Sequence, residues 1–227
     1  MFSKDIEEHS AKEFVYNKIL KGVKMACCKK NKRKLIVASG NAGKLREIAE
    51  LLPNYEVIGY KSLGYNFEIE ENGSTFYENA YIKAKAVMEA TNLPVLADDS
   101  GICVEALSGE PGIYSARYSK EGTDEKNVEF LLENLKGVPE DKRGAKFVCA
   151  MVMLFPDGKE ISSLGETKGT ITDKPYGENG FGYDPIFISK DLNQCLGLAS
   201  PEDKNSISHR GRALRKIIEQ LNLIENK

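Results

Sequence analysis

Residues 145–155 read "AKFVCAMVMLF". A single charged residue in this stretch leaves no alternation of apolar and polar positions, so it reads as a long strand buried on both faces. "PDGK" at 156–159 supplies a hairpin turn, and 159–171 returns as a second strand. At ~3.3 Å per residue the first arm is about 35 Å of extended chain. A hairpin of that length needs helices and further strands to cover it, so the rest of the chain has to provide them.

The remaining pattern does so. From Lys34 onward, strand and helix signals alternate: a strand at 34–39, a helix at about 44–52, and a strand at about 55–60. A loop carrying "FEIEENGS" leads to a helix at about 75–92, with Thr75 as its N-cap and Glu78 three residues on, a capping box. Ala80, Ala84 and Ala86 permit close packing of that helix. Strands are expected at 94–98 and 102–106, a helix at 123–136, and a final helix at 208–222 with Leu214, Ile217, Ile218 and Leu221 on one face. This order is α/β or mixed α+β, with parallel crossovers beside the long hairpin. With 227 residues and 41% hydrophobic content, the chain can bury one large domain or two tightly joined lobes.

Composition narrows the function. Lys and Arg total 32 against 34 Asp and Glu, a balance that argues against nucleic acid as the main partner. No apolar run approaches the ~20 residues of a membrane span, and "MFSKDIEEHSAKEF" lacks the pattern of a secretory signal. Five cysteines without a C-x-x-C pair point to a reducing, cytoplasmic setting. Only two histidines are present, His9 and His209, so any metal should be a hard cation on oxygen ligands, such as Mg²⁺. Residues 1–33 stand apart as an N-terminal extension. Ile6, Phe14, Val15, Ile19 and Val23 form an imperfect helical stripe, and "CCKKNKRK" reads as a basic, solvated hinge.

Five segments could carry chemistry. Ser39-Gly40-Asn41-Ala42-Gly43-Lys44 joins a strand to a helix, where free N–H groups and the helix dipole favour an anion and Lys44 adds a full charge. It lacks the Ser or Thr that follows the lysine of a Walker loop, so phosphate binding and a plain tight turn both fit. "LADDSG" (96–101) puts Asp98, Asp99 and Ser100 after a short apolar strand. Neighbours on an extended chain face opposite ways, so one aspartate can hold a metal or activate water while the other anchors a turn. "FEIEENGS" adds Glu68, Glu70 and Glu71, either a solvated face or a source of a second metal carboxylate. "GENGFGYDPIF" (177–187) could free Phe181 to stack on a flat base, with Asp184 accepting ring N–H groups; alternatively Phe181 and Tyr183 fall back on the core. "KNSISHRGRALRKI" places His209, Arg210 and Arg212 in the first turn of the last helix, capped by Ser206 or Ser208, where cations are unfavourable unless a ligand or ion pairs compensate. Lys204 just upstream could reach a phosphate.

"SGNAGKLREI", "TFYENAYIKAKA", "LADDSG", "PGIYSARY", "GENGFGYDPIF" and "SHRGRALRKI" occur in an order and spacing that resembles the inosine triphosphate pyrophosphatase family, which acts on the non-canonical purine nucleoside triphosphates ITP, dITP and XTP. The resemblance runs from about residue 34 to 227 and implies a pyrophosphatase domain over that span. It implies an elongated, two-lobed α/β fold around a long mixed sheet flanked by helices, with the active site in a cleft between the lobes. It also implies a homodimer and Mg²⁺-dependent hydrolysis to the monophosphate and pyrophosphate. By position in the motifs, Ser39 to Lys44 look like the phosphate-binding segment, Asp99 like the metal ligand and proton acceptor, and Glu71 like a second metal ligand. Ser100, Phe181, Gly182, Tyr183, Asp184, Lys204, His209 and Arg210 look like the remaining substrate contacts. A sensor that binds such nucleotides without turnover is the rival reading; it could dispense with Asp99 and Glu71, and both are present.

Overall fold

The computed structural model describes residues 32–225. The helical stripe expected at 6–23 and the start of the basic hinge lie outside them. Seven strands form one sheet in the order β2-β1-β3-β4-β5-β6-β7. β1 (Arg33–Val37) leads through α1 (Ala42–Leu51) to β2 (Tyr55–Gly59), and α2 (Phe76–Thr91) precedes β3 (Val95–Val104). β1 pairs in parallel with both β2 and β3. α3 (Asp124–Asn134) then leads to the long hairpin, β4 (Gly144–Leu154) and β5 (Glu160–Ile171), with β4 antiparallel to both β3 and β5. The short β6 (Phe187–Ser189) and β7 (Gln194–Cys195) extend that edge, and α4 (Pro201–Ile207) and α5 (His209–Glu225) end the described chain. The expected α/β fold around a long mixed sheet flanked by helices is the one adopted.

Helices cover the sheet on both faces. α2 buries Ala80, Ala84 and Val87 against Val95, Ala97 and Val152. On the other face, Leu214, Ile217 and Leu221 of α5 pack with Ile48 of α1, Leu96, Met151 and Met153. Burial on this scale is worth roughly 1.5–3 kcal/mol per large apolar side chain. A third cluster joins Val128 and Leu131 of α3 to Ile102, Phe147, Ile186 and Phe187.

One expectation is corrected. The strands expected at 94–98 and 102–106 are one continuous strand, because β4 pairs with it residue by residue from Val95↔Leu154 to Val104↔Ala145. The Asp-Asp-Ser-Gly string therefore sits mid-strand, and no turn exists for the second aspartate to anchor. The stretch around Lys204 forms a helix, with Ser200 as its N-cap accepting from Asp203 N and Pro201 in its first turn.

α5 lies so close to β5 that Gly165 leaves no room for a side chain. A Cβ there would strike the His209 carbonyl oxygen and come within 2.6 Å of Ala213 N. Glycine to alanine in an open strand position stabilises; Gly165→Ala is expected instead to lower stability by about 1–3 kcal/mol. Urea denaturation checks this, and an unchanged midpoint would show that α5 yields freely.

Candidate active site

Strand alternation sends Asp98 and Asp99 to opposite faces of the sheet. Asp98 is buried on the α1–α5 side. Lys44 Nζ lies 3.0 Å from its Oδ2, and Arg210 Nη2 lies 3.4 Å from the same oxygen. Ser100 Oγ lies 3.3 Å away. Burial pushes the Asp98 carboxyl up, but Lys44 and Arg210 overcome this and hold it well below the usual carboxylate range. Its Oδ1 is buried with no hydrogen-bond partner.

Asp99 faces α2. Its Oδ1 accepts from Lys83 Nζ at 3.0 Å, and the same ammonium donates to Glu71 at 2.7 Å. Asn79 donates to Asp99 at 3.3 Å and accepts from Gly73 N at 2.8 Å, tying the Glu71 loop to the strand. Burial raises the Asp99 pKa, and Lys83 and Lys44 offset that only in part. Asp99 is thus an under-compensated anion, which makes it a better proton acceptor than an ordinary aspartate.

At the start of α1, Asn41 is the N-cap: its Oδ1 accepts from Lys44 N at 3.0 Å, and its own N–H donates to Ser39 Oγ at 3.2 Å. The amides of Ala42 and Gly43 have no intrahelical acceptor, as in any first turn, and Lys44 stands beside them. Phe181 packs over Gly43, where a Cβ would come within 3.3 Å of its ring.

The loop carrying Phe181 is fixed from below. Phe181 N donates to Asp184 Oδ2 at 2.8 Å, and Gly182 N to Asp124 at 2.8 Å. Gly180 has φ +81°, and a Cβ on it would collide with the Asp184 carboxylate. Lys204 Nζ lies 2.6 Å from both Asp184 and Glu47, and 4.6 Å from the centre of the Phe181 ring. Glu47 also pairs with Arg210, whose Nη2 donates to Ser100 Oγ at 2.9 Å. Burial pushes the Glu47 carboxyl up, and Arg210 and Lys204 hold it below its usual value.

His209 opens α5 with its ring stacked on Phe147, centroids 4.8 Å apart and planes 11° off parallel. Ser208 caps that helix by accepting from Gly211 N at 3.0 Å. Burial, with Arg210 and Lys204 close by, drives the His209 pKa well below its ordinary value. The imidazole is therefore neutral near pH 7, with one N–H donor and one acceptor nitrogen.

Gly40, Asn41, Lys44, Glu71, Asp99, Ser100, Lys204, His209, Arg210 and the Phe181–Asp184 loop all line one pocket of about 290 Å³. Ser39, Ala42 and Gly43 do not line it. Tyr183 reaches the pocket but is mostly core: it is buried, and its hydroxyl donates to Ser115 O at 2.8 Å. Asp184 and Arg210 are spent largely on ion pairs inside the protein, so the cations at the start of α5 are compensated by buried carboxylates rather than left for a ligand alone. Sequence reasoning missed Glu47, Asn79 and Lys83. The signal for the last two was their i, i+4 spacing on the alanine-lined face of α2, where a polar pair has no packing reason to be.

The fold and site define a class: an α/β protein whose pocket combines a helix N-terminus, buried pairs of cations and carboxylates, and the Phe181 ring. The chain belongs to the Ham1 family, whose model matches residues 35–220. It is 46% identical over 194 residues to a dITP/XTP pyrophosphatase of Shigella flexneri, covering 83% of this chain and 98% of that one. It is 48% identical over 188 residues to the Treponema denticola dITP/XTP pyrophosphatase, covering 81% and 96%. The solved Staphylococcus aureus Ham1 protein superposes with a TM-score of 0.74 at 44% identity, covering 86% of this chain and all of that one. These matches bear out the family read from the motifs.

Proposed function

We propose that this chain hydrolyses non-canonical purine nucleoside triphosphates (dITP, XTP and ITP) to the monophosphate and pyrophosphate, clearing them from the nucleotide pool of the cytoplasm. The observation that carries this is Asp99: a buried carboxylate of raised pKa, held by Lys83 and Asn79, in a pocket that also presents a helix N-terminus and the Phe181 ring.

The chain's own groups divide the work. Asn41 and Lys44 at the start of α1 bind phosphate oxygens. Asp99 takes the proton of the attacking water, and Lys83 keeps that carboxylate in place. Phe181 offers a face to the base. The neutral His209 N–H and the Lys204 ammonium are donors suited to a 6-oxo purine; the 6-amino group of adenine would meet them donor to donor. A site of this kind can discriminate by as much as ~10⁴–10⁵-fold.

Glu71 and Asp99 fit a hard divalent cation, since two carboxylates crowd one ammonium and burial leaves Asp99 under-compensated. Among the described residues no three acidic, His or Cys side chains converge as a metal site, so Mg²⁺ held by these two would complete its shell with water and phosphate oxygens. When bound it would neutralise charge on the reacting phosphates. A homodimer is part of the same reading, and sedimentation of the purified chain tests it.

The deciding experiment follows product identity with dITP, XTP, ITP, ATP and GTP, with Mg²⁺ and with chelator. The expected result is Mg²⁺-dependent pyrophosphate release from the first three, with ATP at least ~10²-fold slower by kcat/KM. Orthophosphate release would mean that a different bond is cut. Tight dITP binding without any release would favour the non-hydrolytic sensor.

A further inference from the structure

The charges around the pocket are unevenly committed. Lys44, Lys83, Lys204 and Arg210 each form an ion pair with a carboxylate. Five carboxylates, Asp98, Glu71, Asp99, Glu47 and Asp184, face these four cations. The set is therefore net negative before any substrate arrives, and a triphosphate adds several more negative charges.

Arg117 differs from the four. It lines the same pocket and is exposed, and among the described residues it forms no ion pair. Its guanidinium instead lies over the ring of the exposed Tyr114, 5.3 Å from the centroid. The backbone that presents it is rigid. Ser115 Oγ accepts from Ile102 N at 2.9 Å and donates to Gly112 O at 2.7 Å, and Asn127 donates to Ala116 O at 3.3 Å. Gly101 lets this segment close on β3, since a Cβ there would strike the Gly112 carbonyl. Tyr114 shares a surface cleft with Ser74, Thr75 and Phe76, at the start of the helix that carries Asn79 and Lys83.

We propose that Arg117 is a substrate-contacting residue that grips the polyphosphate tail and then the pyrophosphate leaving group. A guanidinium not already spent on a carboxylate can offer two parallel N–H groups to phosphate oxygens, which a lysine cannot. The ring of Tyr114 holds that fork at the pocket mouth without neutralising it. This rests on the triphosphate reading above, and the test separates the two.

Calorimetric titration with inorganic pyrophosphate, and separately with inosine monophosphate, compares wild type, Arg117→Gln and Arg117→Lys in the presence of Mg²⁺, alongside kcat and KM for dITP. Arg117→Gln is expected to weaken pyrophosphate binding at least tenfold and to lower kcat/KM about a hundredfold, with monophosphate affinity changed less than twofold; Arg117→Lys recovers part of the loss. Pyrophosphate affinity in Arg117→Gln within twofold of wild type overturns the proposal, as does the absence of pyrophosphate binding by wild type. Wild-type turnover with an indifferent Arg117→Gln removes Arg117 and leaves the enzyme. Pyrophosphate binding by a wild type that does not turn over dITP, lost in Arg117→Gln, keeps Arg117 and removes the enzyme.

Discussion

Asp99→Asn is expected to lower kcat for dITP by about 10²–10⁴-fold while the protein stays folded. The substitution keeps the shape of the side chain and removes only its charge and basicity. Folding should tolerate this, because burial already disfavours the Asp99 anion. The pH profile gives an independent check. Turnover needs the unprotonated carboxylate, so activity is present above the Asp99 pKa and falls as pH drops through it. That value is raised from 3.8 without metal, and Mg²⁺ on the same carboxylate would lower it, so the acid limb of kcat/KM should move down in pH as Mg²⁺ is raised. Residual activity of the Asn variant should lack the limb. A loss of less than fivefold, or an unmoved acid limb, would take proton transfer away from Asp99.

Lys204→Met carries the second large effect, and it falls on stability. Lys204, Glu47 and Asp184 are all buried. Glu47 keeps Arg210 when the ammonium is gone, but Asp184 loses the one cation paired with it among the described residues. Breaking one side of a buried pair costs about 3–5 kcal/mol, seen as a lower urea midpoint at pH 7. Burial already raises the Asp184 pKa and Lys204 is the main opposing influence. Without Lys204 the carboxyl protonates more readily, so the deficit is full above its folded pKa and shrinks as pH falls through it. Adding Asp184→Asn to Lys204→Met should recover most of the loss at pH 7. A single variant as stable as wild type would show that water reaches Asp184 and solvates it.

Most of the frame was legible because apolar periodicity is a local property. The hairpin of β4 and β5, the Thr75 cap and the apolar stripe of α5 all lie where the pattern put them. β3 was misread because Asp98-Asp99-Ser100-Gly101 carries turn chemistry in its residue types, and only ten pairs to β4 override that preference. α4 was missed although Ser200, Pro201, Glu202 and Asp203 supply a cap, a first-turn proline and first-turn acids. Its seven residues are too few for a periodic stripe to declare itself. The site was legible as motifs but not as connections. That Lys44 would lie against Asp98, or Lys204 between Glu47 and Asp184, depends on packing between segments up to 157 residues apart.

The buried charges are also connected to one another. Lys44, Asp98, Arg210, Glu47, Lys204 and Asp184 alternate in sign, each touching the next, from the start of α1 to the loop that holds Phe181. Such a series behaves like an arch, in which no stone can be recut alone. Retuning which base the pocket accepts by changing one member would unbalance its neighbours and disturb the phosphate end as well. New specificities should therefore arise through paired exchanges that conserve charge along the series, or through the unpaired rim, where a single substitution is free to act.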